Sequence, residues 1–286
     1  MKLIKYFIQF LIIIIFFLIF KILGLKSASH ISSKITSVVG PLFRSRNLIN
    51  SNILKALPNL DRDQIKIISK KMWSNYGKIL AEYVFIKDFR GGKFNNKIKV
   101  NGQEILEKIK KDNEPVIFVS GHFNNFELMA LHIEKSGINL AAIYRPLNNK
   151  FLNFIMERIR KKYICKNQIE KGISGTKKLL SFFKNKTSIA LMIDQRVSQG
   201  IKSKFFNDKC FTTTIPAQFV KKFNCKVVPI YIERINNINF KLTVYEPLQY
   251  HSDETLESIT LNLNNILEKM ILKNPEQWIW SHNRWK

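Results

Sequence analysis

The sequence predicts an α/β fold, with a mostly parallel central sheet flanked by helices behind an N-terminal hydrophobic membrane helix. Three observations lead there. Short apolar runs recur between residues 97 and 245, each the length of a buried strand. Stretches of helical periodicity alternate with several of them, as in a parallel sheet covered on its faces. Ahead of all this, Tyr6 to Leu23 is nearly all Ile, Leu and Phe.

That first segment is interrupted by Gln9 and Lys21, with Lys2 and Lys5 on one flank and Lys26 on the other. The unbroken run from Phe10 to Phe20 reaches a marginal spanning length only with Gln9 inside and Lys21 snorkelling. Ser27-Ala28-Ser29 imitates a cleavage site, but Lys21 and Lys26 sit badly before one, so the segment reads as an uncleaved anchor. Residues 1–25 form the anchor and 26–286 one α/β domain. Positive charge on both sides leaves orientation open, and a shallow helix that does not cross also fits.

Residues 31–60 are mixed and read as helical near the membrane. Asp61-Arg62-Asp63-Gln64 offers a helix cap, and Ile65, Ile68, Met72, Trp73, Tyr76, Ile79, Leu80 and Tyr83 follow at helical spacing. Gly91-Gly92 with Asn95 and Asn96 marks a loop. Strands are expected near 97–100, 115–119, 140–144, 188–193, 226–232 and 240–245, with helices over 103–110, 125–135, 150–162 and 175–184. The last helix begins near Asp253, with Leu256, Ile259, Leu263, Ile266 and Met270 as its core stripe.

Lys and Arg number 47 against 21 Asp and Glu, a net charge of +26. Such a field attracts anionic partners and membrane surfaces. The lysines are scattered without a nucleic-acid-binding motif, which argues against nucleic acid as partner. Cys165, Cys210 and Cys225 lack Cys-x-x-Cys spacing and read as reduced thiols. The five histidines show no metal-ligand spacing, and no phosphate-loop or dinucleotide fingerprint is present.

Chemistry concentrates in Gly121-His122-Phe123-Asn124-Asn125-Phe126-Glu127, between an apolar strand and a helix. His122 at that junction is a candidate general base, and Glu127, five positions on, a candidate partner that holds its tautomer. That spacing does not put both on one face of a regular helix, so the turn must bring them together. Both lie near a helix N-terminus, which favours a carboxylate or an oxyanion.

Three more segments accompany this one. They are Ile143-Tyr144-Arg145-Pro146-Leu147-Asn148-Asn149, then Ile189–Arg196 with Lys204-Phe205-Phe206-Asn207, and finally Pro275–Lys286. In order and rough spacing the four resemble the lipid A biosynthesis (late) acyltransferase family of the lysophospholipid acyltransferase-like superfamily, over nearly the whole chain. Asn124 stands where that family often has Gly, and Phe126 where it often has Trp. Asn tolerates positive φ, and Phe keeps the aromatic plug. Gly121 and Glu127 favour the lipid A branch over the glycerolipid branch, which usually shows Asn-His-x-Ser and an Asp.

The resemblance implies a membrane-associated O-acyltransferase of the bacterial inner membrane, its catalytic domain on the cytoplasmic side. It would move a fatty acyl chain from acyl carrier protein to a hydroxyl of a phosphorylated glycolipid, a lipid A precursor. No cofactor or metal is implied, because the thioester is already activated. Arg145 then holds a phosphate or polarises the thioester oxygen. Asp194 and Gln195 either tie site loops together or act directly on substrate. Arg158, Arg160, Lys161 and Lys162 form a solvated helix face, or a dock for the acidic carrier or lipid headgroups. Trp278, Trp280 and Trp285 are packing or interfacial aromatics. Two other readings are an acyltransferase for another membrane lipid, glycerophospholipid or amino-acid lipid, and a non-catalytic, membrane-anchored polyanion-binding protein.

Overall fold

The computed structural model describes residues 2–286. Helix α1 (Lys2–Val39) bends at Gly24, whose φ of 74° and ψ of 164° lie outside the helical range and favour a residue without Cβ. Its apolar half turns Tyr6, Phe10, Ile13, Phe17 and Phe20 towards the body, while Leu3, Ile8, Leu11, Ile15, Leu18 and Ile22 stay exposed. The second half packs along α3 (Arg62–Tyr83), with the short α2 (Arg46–Ala56) beside it. The Asp61–Gln64 capping box expected from the sequence closes the start of α3.

Seven strands form the main sheet. They are β1 (Ile98–Asn101), β2 (Ile117–Ser120), β3 (Leu140–Tyr144), β4 (Asn167–Glu170), β5 (Ser188–Met192), β8 (Val227–Asn236) and β9 (Asn239–Val244), in the order β1-β9-β8-β2-β5-β3-β4. The five from β8 to β4 run parallel; β9 returns antiparallel beside β8, and β1 runs parallel to β9. The expected α/β architecture is therefore present, and all six expected strands lie in this sheet. Every residue of β2 is buried, as a central strand covered on both faces requires.

Three strands lie outside the sequence expectation. The edge strand β4 reads Asn-Gln-Ile-Glu, with one apolar residue. The hairpin of β6 (Ile201–Phe205) and β7 (Asp208–Thr212) alternates Lys with partly buried residues and pairs only with itself. Hydropathy marks none of the three, since each buries at most one face.

Helices α4 (Ile86–Arg90), α5 (Gln103–Asp112), α6 (Glu127–Lys135), α7 (Lys150–Ile159), α8 (Ile173–Lys184), α9 (Ile215–Phe223) and α10 (Leu256–Lys273) complete the fold. The helix expected to run through 162 stops at Ile159 and continues as a wider π turn over Arg160–Ile164. That turn swings Arg160 away from Arg158, Lys161 and Lys162, which stay exposed.

The apolar half of α1 is tied to the body near both ends. Asn149 Nδ2 donates to the Tyr6 carbonyl at 2.8 Å, and the rings of Phe7 and Phe10 lie 5.5 and 5.7 Å from that of Phe151. At the other end Phe20 is buried and Lys21 Nζ reaches Asp88 at 2.8 Å.

Candidate active site

The carboxyl ends of β2, β5 and β3 deliver His122, Asp194 and Arg145 to one edge of the sheet. Ser120 pairs in register with Met192, and each strand runs two residues further, to His122 and Asp194. The ladder persists past the strand ends, where Ile193 N–H donates to the Ser120 carbonyl at 2.9 Å. Neighbouring parallel strands lie about 4.8 Å apart, so equal overhang brings the two side chains together.

His122 Nδ1 lies 2.7 Å from Asp194 Oδ1, and the His122 backbone N–H donates to Asp194 Oδ2 at 2.7 Å. Trp278 Nε1–H donates to the same oxygen at 2.9 Å. Burial alone would raise the carboxyl pKa of the fully buried Asp194. The facing imidazole and the donated hydrogen bonds outweigh it and hold the group below the usual range. An ionised carboxylate only accepts, so His122 carries its proton on Nδ1, and Nε2 is left as the basic nitrogen. Gly121 makes this approach possible: a Cβ there would lie 2.9 Å from Leu267 and 3.2 Å from Asp194 Oδ2.

The carboxylate on the imidazole thus differs from the one the spacing suggested. Glu127 opens α6 and lines the same pocket as His122. There it accepts from Arg160 Nε at 2.8 Å and pairs with the same guanidinium through Nη2. Burial works against charge on Arg160, but Glu127 outweighs it and lifts the guanidinium pKa. The turn over 121–126 does not fold Glu127 back to His122; it inserts Phe126, whose ring meets the imidazole edge-on at 4.8 Å. Arg160 is therefore the largely covered partner of Glu127 and not part of a surface patch.

A pocket of about 430 Å³ opens over these groups, lined in part by His122, Glu127, Arg145, Arg160, Gln195 and His282. Its floor is apolar, with Ala142, Ile143, Ala190, Leu191 and Met192. Gln195 Nε2 lies 3.5 Å from His122 Nε2, the nitrogen left free. Arg145 stands exposed at the rim beside Lys171, whose ammonium pKa is lowered by burial and then by the Arg145 charge. Among the described residues neither makes an ion pair, so the rim presents two uncompensated cations to an anionic ligand.

A buried network holds the His122 loop from behind. Arg234 on β8 donates to Glu82 on α3 through both terminal nitrogens, and its Nη2 also reaches Asn124 Oδ1 at 2.7 Å. Asn125 Nδ2 donates to Glu82 Oε2 at 3.0 Å, and Asn124 Nδ2 to Gln277 Oε1 at 2.7 Å. Asn124 adopts φ 46°, a region Asn tolerates, so the turn survives where the family often has Gly. Trp278 and Trp280 are buried and belong to the core, Trp278 with the added task at Asp194.

The sequence did not single out Arg160, Glu82, Arg234 or Trp278 for the site. Lone charged residues on α3 and β8 leave no local signal, and the pairing appears only once the chain is folded.

A strand-end histidine on a carboxylate thus stands over a partly apolar pocket with two cations at its rim. The chain belongs to the bacterial lipid A biosynthesis acyltransferase family, whose sequence model matches residues 1–286. It is 20% identical to the lipid A biosynthesis palmitoleoyltransferase of Escherichia coli (strain K12) over 262 residues, 90% of this chain and 84% of that protein. It is 22% identical to a lipid A biosynthesis acyltransferase of Haemophilus influenzae over 252 residues, 85% of this chain and 78% of the relative. With the lipid A biosynthesis myristoyltransferase of E. coli it shares 21% identity over 247 residues, 85% and 75% of the two chains. Among solved structures, the 1-acyl-sn-glycerophosphate acyltransferase PlsC of Thermotoga maritima aligns over 88% of this chain and 96% of its own, with a TM-score of 0.42 and 12% identity.

Proposed function

We propose that this acyltransferase moves a fatty acyl chain from the thioester of acyl carrier protein to a hydroxyl of a phosphorylated lipid A precursor. The observation that carries the reading is the His122–Asp194 pair, with Nδ1 committed to the carboxylate and Nε2, met only by the long Gln195 contact at 3.5 Å, left as the basic nitrogen of a pocket-lining ring. Nε2 takes the proton of the acceptor hydroxyl as its oxygen attacks the thioester carbon. The carbonyl pair moves to oxygen. On collapse the C–S bond breaks, and the departing thiolate takes the proton back from His122. Asp194 stabilises the imidazolium that forms between the two steps.

The other groups take places around this centre. Arg145 and Lys171 at the rim hold a phosphate of the acceptor, and the apolar floor receives acyl chain. Gln195 stands where the acceptor hydroxyl must approach Nε2 and contacts it. Glu127, paired with Arg160, keeps a carboxylate within the same pocket. The exposed Arg158, Lys161 and Lys162 face an acidic carrier.

The apolar half of α1 attaches the enzyme to the bilayer, in our reading the cytoplasmic face of the inner membrane. The ties of that helix to the body at Tyr6 and at Lys21 support a surface-lying helix over a crossing one. The helix therefore lies along the surface, its exposed Leu and Ile face in the upper acyl region.

Purified full-length protein, given acyl carrier protein thioesters and a phosphorylated lipid A precursor, should form an ester, and His122→Ala should lower turnover about 10²–10⁴-fold. Mass spectrometry of lipid A from cells with and without the protein should differ by one acyl chain. Unchanged lipid A, together with transfer to lysophosphatidate, would move the acceptor to a glycerophospholipid.

A further inference from the structure

His282 lies in the wall of the same pocket, and the acyl transfer described above does not use it. The Arg196 backbone N–H donates to His282 Nε2 at 3.0 Å. A backbone N–H can only donate, so that nitrogen accepts with its lone pair. The proton of the neutral ring must then reside on Nδ1. Burial, more than the surrounding charges, keeps the ring neutral, with its pKa pushed down to about 4. Among the described residues no protein group accepts from Nδ1. His282 is thus a neutral, tautomerically fixed donor with nothing of its own to bond.

Its placement is rigid and close to the chemistry. Three successive residues serve both imidazoles: Asp194 holds His122 Nδ1, Gln195 approaches His122 Nε2, and Arg196 fixes His282. The segment carrying His282 is clamped on its far side. Asn52 Nδ2 donates to the carbonyls of Trp280 and His282, each at 2.8 Å, and Arg44 Nε to that of Ser281 at 2.9 Å. A cation at this position would oppose the imidazolium forming on His122, whereas a neutral N–H does not.

We propose that His282 Nδ1–H donates to the thioester carbonyl oxygen as it becomes an oxyanion, so that His282 is a second catalytic histidine of this site. The inference rests on the acyl-transfer reading. The step balances without a further reactant. The hydroxyl proton goes to His122 and on to the leaving thiolate, the carbonyl pair moves to oxygen and returns, and His282 keeps its proton throughout. A preorganised donor of this kind acts mainly in the transition state, so its loss falls on kcat more than on KM.

Two amide substitutions separate this role from a structural one. Asn carries its amide nitrogen as many bonds from Cβ as Nδ1, and so keeps the donor while losing the acceptor for Arg196. Gln carries its amide oxygen as far out as Nε2, and so keeps the Arg196 bond while losing the donor. His282→Gln should fold and bind as the wild type but lose about 10²–10³-fold in kcat, with His282→Asn within about tenfold of wild type. The opposite order, with Gln active and Asn impaired, would show that His282 only holds the Arg196 loop and would overturn the inference while wild-type turnover still upholds acyl transfer. Histidine ¹⁵N spectra of the full chain in detergent give a readout independent of turnover: the expected tautomer of His282 is Nδ1–H, and Nε2–H would sink the proposal. No ester formation by the wild type with this donor and acceptor would remove the reaction itself, and the assigned role with it.

Discussion

Replacing Asp194 by Asn changes a single heavy atom and should nearly silence the enzyme. Asp194 Oδ2 accepts from the His122 backbone N–H at 2.7 Å and from Trp278 Nε1–H at 2.9 Å. Both are fixed donors in a buried place, so the amide of Asn must turn its oxygen towards them. The other orientation strands both, at about 1–3 kcal/mol each. Its NH₂ group then faces His122 Nδ1, which has to accept, and the ring proton shifts to Nε2. A protonated Nε2 cannot take the hydroxyl proton. A tautomer reversed in this way costs about 10⁴-fold in kcat in serine proteases, and a loss of about 10³–10⁴-fold is expected here with KM little changed. Initial rates at saturating donor, with a urea unfolding curve showing an intact fold, make the measurement. Turnover within about fivefold of wild type would refute the tautomer argument and release Asp194 from the mechanism.

The other carboxylate should behave differently. Glu127→Gln leaves the largely covered guanidinium of Arg160 without its counter-charge while keeping an accepting oxygen, and should cost about 1–3 kcal/mol in urea unfolding; stability within about 0.5 kcal/mol of wild type would mean the pair is solvated in solution. Acid should loosen the site in a defined window: His282 stays neutral in the fold down to about pH 4, whereas the unfolded chain takes up its proton near 6.5. Stability contributed by the neutral ring is complete above about 6.5 and falls by up to about 3 kcal/mol as pH drops to about 4. Below that range the depressed Asp194 carboxyl continues the loss, and His282→Gln should flatten the upper part of the curve in urea midpoints taken against pH. For the anchor, single cysteines at Lys2 and Lys26 should react with a membrane-impermeant maleimide from the same side of a sealed vesicle, and reaction from opposite sides would establish a spanning helix.

Strands covered on both faces write themselves into the sequence as apolar runs, as β2, β3, β5 and β8 do; β9, buried on one face, shows alternate apolar residues instead. Strand β4 occupies an edge, and β6 with β7 forms a separate hairpin, so neither needs a run of apolar residues. The end of α7 was illegible for another reason. Its amphipathic spacing continues past Ile159, whereas the chain takes a π turn there that brings Arg160 to Glu127. Local periodicity reports which face of a helix is apolar; it does not report where a tertiary ion pair interrupts the helix.

The same limit explains why His122 was legible and its partner was misassigned. A polar cluster at the end of an apolar strand is a local signal, and His122, Arg145 and Asp194 each show it. Pairing depends instead on strand order, which the sequence does not state. Glu127 is near His122 along the chain, but at the start of α6 it pairs with Arg160 instead. Asp194 is 72 positions away, and β5 lies directly beside β2, so equal overhang past Ser120 and Met192 puts the two side chains at one level. In a parallel sheet, residues at matching distances beyond neighbouring strands are closer than residues five apart around a tight turn. Once β2 and β5 are known to be neighbours, counting two residues past each finds the pair. The C-terminal Trp278 and His282 close the constellation from the other side, and they too meet it only through the fold.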